Sequence, residues 1–218
     1  MQWDTEFAIS ILPRLMEGVI VTIQATLLGA VLAFTLGLLL AVGRLVSGPV
    51  PSKCLYWGGE FIRRTPLLVQ LYFLFYLLPE IGIVLSPLVA GVIGIGLHYS
   101  TYTAEVYRAG IENVDRGQWE AARALNYPPA QTWTKVIIPQ AVPPMIPALA
   151  NYLITMFKET PLLSAITVIE LMNSARIVAN QTYRYIEPIT MVGLFFLAVS
   201  IPSVLLSLWL ENRFARQD

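Results

Sequence analysis

The sequence predicts an all-α integral membrane protein with five transmembrane helices in a single domain that covers residues 1–218. Of these residues, 56% are hydrophobic and only 13% are charged, whereas an average soluble domain carries roughly 25% charged residues. The few charged residues divide the chain into five apolar stretches, and crossing a bilayer takes about 20 helical residues. Basic residues are also unevenly distributed between the two predicted sides, which indicates an orientation.

The apolar stretches define the predicted helices. The second is the least certain in extent, because its charge-free run from Arg64 to Glu80 covers only about 22 Å as a helix and must extend back past Glu60. The five predicted spans lie near residues 18–43, 57–79, 86–107, 140–163 and 188–210.

Basic residues predict which side of the membrane each terminus faces. One side would carry Arg44, Lys53, Arg108, Arg116, Arg123, Lys135, Arg213 and Arg216, with Arg63 and Arg64 close by. The other side would carry only Arg14, Arg176 and Arg184. The positive-inside rule therefore places the N-terminus outside and the C-terminus in the cytoplasm.

The segment between the third and fourth predicted spans contains signals for two short helices. Asp115 suits an N-cap, and Gln118 three residues later resembles a capping box. Asn126 suits the left-handed position that ends a helix. Pro128-Pro129 prevents continuation and can open a second short helix toward Lys135. Such a capped pair of helices suits docking of another protein, but an ordinary connector explains the same residues equally well.

A resemblance separates these two interpretations. The stretch from Glu120 to Pro139 is similar to the EAA loop of permeases in binding-protein-dependent ABC importers, which reads EAA, three residues, Gly, nine residues, Ile-x-Leu-Pro. Asn126 stands here in place of the glycine. The resemblance makes residues 108–139 a cytoplasmic coupling loop, with its coupling residues at Gly117, Glu120, Ala121, Ala122, Asn126 and Pro139.

Three further blocks resemble the polar amino acid uptake branch of that superfamily, the branch of histidine and glutamine permeases. They are Phe61–Leu71, Tyr102–Ile111 and Lys158–Leu162. The resemblance implies a type I ABC importer permease fold in a bacterial inner membrane. It also implies an identical or homologous second permease subunit, two ATP-binding subunits, an external solute-binding protein and surrounding membrane lipid, with no role for nucleic acid.

ATP chemistry is expected on the partner subunits. The chain has no G-x-x-x-x-G-K-[ST] phosphate loop, so ATP and magnesium would bind to the separate ATPase subunits. With one cysteine, Cys54, and one histidine, His98, it offers few ligands for a metal site and few groups for catalysis. We therefore expect a transport subunit that is not itself an enzyme and binds no cofactor or metal.

Ionisable residues within predicted spans are candidates for the solute pathway, because burying charge in a membrane is costly. Lys158 and Glu159 could meet the carboxylate and the ammonium group of an amino acid. Alternatively, they lie at the outer surface or pair with Arg63, Arg64 or Glu105 at a helix interface, or the binding protein alone supplies specificity. The further candidates are Thr160, Glu170, His98, Tyr99 and Tyr102.

Other functions remain as alternatives. The cargo could be a compatible solute of the ectoine or hydroxyectoine type, since these are also small zwitterions. A membrane-embedded enzyme lacks an identifiable catalytic motif. A stand-alone secondary transporter or channel is less favoured, because such proteins usually carry two related halves and the five predicted spans show no internal inverted repeat.

Overall fold

The computed structural model describes residues 3–214, and within that range the chain consists of helices joined by turns. Arg216, one of the residues used above to orient the chain, lies outside the described range. The helices are α1 (Thr5–Ser10), α2 (Leu12–Val46), α3 (Pro49–Arg64), α4 (Leu67–Tyr72), α5 (Pro87–Glu112), α6 (Arg116–Ala124), α7 (Pro129–Gln131), α8 (Ile138–Glu159), α9 (Leu171–Thr182) and α10 (Ile186–Phe214). Wider π-helical turns follow α4 and α7, and 3₁₀ turns occupy Leu78–Ile81 and Thr160–Ile166.

Three helices are long and apolar enough to cross a membrane, namely Leu12–Val46, Pro129–Ile166 and Ile186–Arg213. The pair Pro49–Arg64 and Leu67–Ile81 becomes a fourth if it counts as one broken span. Helix α5 covers the third predicted span but is not among the helices that are apolar enough to cross a membrane. Residues 3–214 are thus all-helical, with three or four segments that are long and apolar enough to cross a membrane, while the count of five spans and the orientation stay predictions.

The predicted continuous helix over 57–79 is wrong, because the chain bends by 99° between α3 and α4. Thr65 has φ −94° and ψ 131°, the extended conformation that a following proline, here Pro66, imposes. The Gln70 side-chain amide donates to the carbonyl oxygens of Ile62 (2.8 Å) and Thr65 (3.0 Å). The Gln70 amide therefore supplies a donor to carbonyl oxygens at the break, where the end of a helix leaves such groups without helical partners.

Helices α2 and α5 form the centre of the bundle, and small residues let them approach closely. Gly29 faces Ile95, whose side chain would lie 3.0 Å from an added Cβ. Thr103 on α5 donates a 2.9 Å hydrogen bond to the Ala33 carbonyl oxygen on α2. Close helix contact through small residues replaces the hydrophobic driving force that lipid does not supply.

A polar clamp joins α1 to the turn between α9 and α10. The Arg184 guanidinium donates to Asp4 (3.1 Å) and to Glu187 (2.6 Å) and lies 4.3 Å from the centre of the Phe7 ring. The Phe7 backbone N–H and then the Arg184 guanidinium lower the pKa of the Asp4 carboxyl, since both favour its charged form. The clamp fixes where α10 begins.

Candidate functional site

Helix α6 begins as its sequence predicts. The Asp115 side chain accepts a 2.6 Å hydrogen bond from the backbone N–H of Gly117, which caps the helix. An added Cβ at Gly117 would lie only 2.7 Å from that Asp115 oxygen. The reciprocal half of the capping box is not among the hydrogen bonds of the described residues: the Gln118 side chain instead accepts from the Gln140 amide on α8, at 3.2 Å.

The end of α6 also follows the prediction. Asn126 has φ +53°, and its N–H donates to the Arg123 carbonyl oxygen at 2.9 Å. The next N–H, of Tyr127, donates to the Ala122 carbonyl oxygen at 3.0 Å. This pair of bonds is the Schellman arrangement, with asparagine in the left-handed position where glycine is commonest. The departure from the EAA pattern at Asn126 is thus compatible with the same turn.

We expect Asn126→Ala to destabilise this turn by about 1 kcal/mol, because alanine in the left-handed region has a steric penalty that glycine lacks. Asn126→Gly should preserve the turn. Hydrogen exchange of the α6 amides in the purified protein would measure the difference, with faster exchange expected only in the alanine variant. Equal exchange in all three proteins would show that the turn does not need this residue.

The second short helix toward Lys135 is a wrong prediction. A helix does begin at Pro129, but it continues through a π-helical turn (Thr132–Ile137) and α8 to Ile166. A proline ring clashes with the carbonyl four residues earlier, and for Pro139 that residue is Lys135. The widened turn immediately before the proline relieves the clash without ending the helix.

Helix α6 packs one face on the bundle and leaves the other free. Trp119 contacts Trp133 edge to face with ring centres 5.2 Å apart, and Ala122 is buried. Glu120 and Ala121 are exposed, and Glu120 makes no hydrogen bond or ion pair to any described residue. The geometry therefore leaves the Glu120 carboxylate available to a partner, and no contact shown within the chain uses it to hold the loop.

Lys158 and Glu159 face different surroundings. Consecutive helical residues point about 100° apart. Lys158 is exposed toward α10, where it lines a groove with Val192 and Phe196. Glu159 lies beside Tyr99 on α5. The two side chains do not form one site in this arrangement.

Glu159 belongs to a polar aromatic cluster in the bundle interior. Tyr99 and Tyr102 from α5 and Tyr152 from α8 stand with ring centres 5.7–6.0 Å apart. His98 contacts both α5 tyrosines at 5.3 Å. Within the described part of the chain, Glu159 Oε2 is buried and accepts no hydrogen bond. A buried carboxylate oxygen beside aromatic faces can receive a cationic group.

Among the described residues, neither Lys158 nor Glu159 forms an ion pair with Arg63, Arg64 or Glu105. The arginines instead join a separate charged cluster, in which Glu105 accepts from Arg44 (2.5 Å), Arg63 (3.3 Å) and Arg108 (2.8 Å). In the same cluster, Glu60 accepts from Arg63 and Arg64. The cluster ties α2, α3 and α5 together, and each of its four arginines is paired with a glutamate of the same cluster.

Two other candidate residues have local structural partners. The Thr160 hydroxyl is buried and donates to the Phe157 carbonyl oxygen at 2.8 Å. The Glu170 carboxylate is fully buried and caps α9, accepting 2.8 Å hydrogen bonds from the backbone N–H groups of Met172 and Asn173. Both side chains are thus engaged in local hydrogen bonds to the backbone.

Two members of the cluster were not predicted from the sequence. Tyr152 precedes Glu159 by seven residues, two helical turns on the same face of α8, so helical spacing could have identified it. The Gln70 amide lies 3.1 Å from His98 Nδ1, and it arrives there only because α4 turns away from α3. No local signal in the sequence indicates that contact.

The fold has close counterparts among solved structures. A chain in the crystal structure of an amino acid ABC transporter with histidines superposes with a TM-score of 0.90 at 34% identity, over 98% of this chain and 100% of that one. A chain of the methionine ABC transporter MetNI shares the fold at 17% identity, with a TM-score of 0.71 over 92% and 98% of the two chains. The architecture is that of an ABC transporter membrane subunit.

Sequence comparison gives the family. Residues 33–216 match the family described as binding-protein-dependent transport system inner membrane component, and the chain belongs to this family. A Sinorhizobium fredii protein named as an amino-acid ABC transporter permease is 47% identical over 208 residues, which cover 91% of this chain and 88% of the relative. PatM of Vibrio harveyi, similarly named, is 34% identical over 98% and 97% of the two chains. These names do not support the ectoine alternative.

Proposed function

We propose that the chain is the permease subunit of an ABC importer that moves polar amino acids across a bacterial inner membrane. It would work with a second permease subunit, two ATP-binding subunits that hold ATP and magnesium, and an external solute-binding protein. Family membership and the amino-acid names of the relatives support this proposal. The observation that carries it is the capped helix α6, whose exposed face presents Glu120 and Ala121.

Coupling would proceed through α6 and its turn. The Trp119–Trp133 contact and the Gln118–Gln140 hydrogen bond fasten α6 to the start of the long helix that contains α8. A push on α6 by an ATP-binding subunit would therefore be transmitted to α8, which carries Glu159. The other coupling-loop residues serve this geometry: Gly117 and Asn126 shape the two ends of α6, Ala122 seats it, and Pro139 opens α8.

The solute would bind beside Glu159. An amino acid's ammonium group would compensate the buried carboxylate, with the tyrosine faces around it adding cation–π attraction. His98, Tyr99 and Tyr102 would line this position from α5. Lys158 lines the groove beside α10, while the Thr160 hydroxyl and the Glu170 carboxylate bond to the backbone. These three residues would therefore contact the solute only in another conformation of the transport cycle.

Reconstitution tests the assignment directly. The chain, its ATP-binding subunits and the binding protein in liposomes should show amino-acid-stimulated ATP hydrolysis and uptake. Omission of the ATP-binding subunits should abolish uptake. Uptake by this chain alone would instead establish a secondary transporter or channel.

Glu120→Gln tests the coupling surface. We expect ATPase-subunit binding about tenfold weaker and a matching fall in coupled uptake, because an exposed interfacial charge contact is lost while the helix itself keeps its cap. Membrane insertion should not change. Glu80→Gln, an exposed carboxylate after α4 and remote from α6, is the matched control. Unchanged ATPase-subunit binding by Glu120→Gln would remove Glu120 from the coupling surface.

A further inference from the structure

A groove runs along the outer surface of the bundle between the end of α8, the start of α9 and α10. Its volume is about 550 Å³, and its walls are mostly apolar, including Met172, Ile189, Val192, Phe196 and Leu197. Only 11% of the most apolar stretch of α10 is buried within the chain. The groove therefore lies on the exposed apolar surface of the chain, which would face lipid or another subunit.

One cation enters this groove. Lys158 lines it, and in the described residues Lys158 has neither an ion pair nor a hydrogen bond. The nearest acidic residues in sequence do not compensate it, since Glu159 turns toward α5 and Glu170 is buried as the cap of α9. Placing an unpaired lysine in a membrane-spanning helix is energetically unfavourable. A bound anion in the groove would compensate its charge.

The groove is long enough to hold part of a lipid acyl chain. Its α10 wall runs from Ile189 to Ser200, about 16 Å by helical rise, and half of a bilayer's hydrocarbon core is about 15 Å. Lys158 follows Phe157, whose ring packs 5.1 Å from that of Phe196, so the lysine joins the groove between its two ends. Its four-carbon stem lets the ammonium group reach toward the headgroups.

The groove is also open at its floor. An added Cβ at Gly193 would meet no atom within 4 Å, so no described residue fills the space above this glycine. An acyl chain would cover these apolar walls, whereas a small polar solute would find few polar partners there.

We propose that this groove is a binding site for one anionic phospholipid, with the phosphate on Lys158 and an acyl chain along α10. The proposal depends on the chain's position in a membrane and not on the identity of the solute. It assigns Lys158 to lipid and leaves Glu159 to the interior cluster.

Native mass spectrometry of the assembled transporter in detergent, titrated with phosphatidylglycerol or phosphatidylcholine, tests the site. We expect phosphatidylglycerol to be retained about fivefold more strongly, the preference that one lysine near a membrane surface gives. Lys158→Gln should abolish the preference. Lys135→Gln, at the other end of the same continuous helix, should preserve it.

A second variant tests the acyl strip independently of the charge. Gly193→Leu should fill the floor of the groove and reduce retention of both lipids, whether or not Lys158→Gln assembles. Equal retention of the two lipids by the unmodified protein would overturn the proposal, as would unchanged lipid retention by Gly193→Leu. Displacement of phosphatidylglycerol by an amino acid solute, or loss of the second permease subunit from Gly193→Leu, would assign the groove to solute or to subunit contact and also overturn it.

Discussion

Replacing Glu159 by glutamine is expected to lower amino acid uptake by the reconstituted importer about 100-fold. Glu159 Oε2 is buried without a hydrogen-bond donor in the described chain, beside Tyr99 and within the aromatic cluster. Glutamine keeps the shape but removes the charge that would meet the solute's ammonium group. Loss of one partner of a buried charge pair costs about 2–5 kcal/mol, and 1.4 kcal/mol is tenfold.

The measurement is uptake of labelled amino acid at several solute concentrations, with solute-stimulated ATP hydrolysis recorded in parallel. Glu159→Asp keeps the charge and should retain part of the activity. Basal ATP hydrolysis and α6 docking should be unaffected, because the change lies far along α8 from the coupling turn. Uptake and selectivity equal to those of the unmodified protein would leave Glu159 with a purely structural role.

The features predicted correctly from the sequence are those fixed by short-range chemistry. The Asp115 cap and the left-handed Asn126 depend on hydrogen bonds that span two to five residues. Their side-chain and backbone preferences act alike in almost any tertiary context. The exposed position of Glu120 then follows from helical geometry, so the surface that we propose for coupling could be described from the sequence.

The features that were missed depend on how a proline acts together with the backbone and side chains around it. Pro66 breaks a helix that hydropathy makes continuous, while Pro139, Pro143 and Pro144 leave α8 helical. The difference is the backbone before each proline. Extended geometry at Thr65 is stabilised by the Gln70 amide, whereas the widened turn before Pro139 absorbs the clash within the helix.

The position of the candidate solute pair, Lys158 and Glu159, could have been judged better from the sequence itself. Lys158 and Glu159 are adjacent, so a helix separates their directions by about 100° and one small solute cannot be met by both from the same side. The role of Glu170, in contrast, could not be read from the sequence. A buried acid in a membrane protein suggests a pathway, yet its oxygens cap α9, and that contact becomes visible only once the start of the helix is known.

Replacing Gly37 by alanine is expected to be among the most destabilising single-methyl changes in the chain. A Cβ at Gly37 would lie 2.0 Å from Thr103 Oγ1 and 2.8 Å from the backbone carbonyl oxygen of Ser100. The threonine could rotate, but the carbonyl belongs to the backbone of α5 and cannot. Relief therefore requires α2 and α5 to separate, which also strains the hydrogen bond from Thr103 to the Ala33 carbonyl oxygen.

Overpacking of this kind costs about 1–3 kcal/mol, and here it falls on the most extensive helix contact of the bundle. The temperature at which half of the detergent-purified protein aggregates should fall clearly below that of the unmodified protein. Gly58→Ala is the matched control, since Gly58 lies within α3 and its added Cβ would meet nothing within 4 Å. There the same methyl should leave stability unchanged or raise it by up to about 1 kcal/mol through helix propensity. An aggregation temperature for Gly37→Ala equal to that of Gly58→Ala would mean that α2 and α5 do not pack as closely as the structure shows.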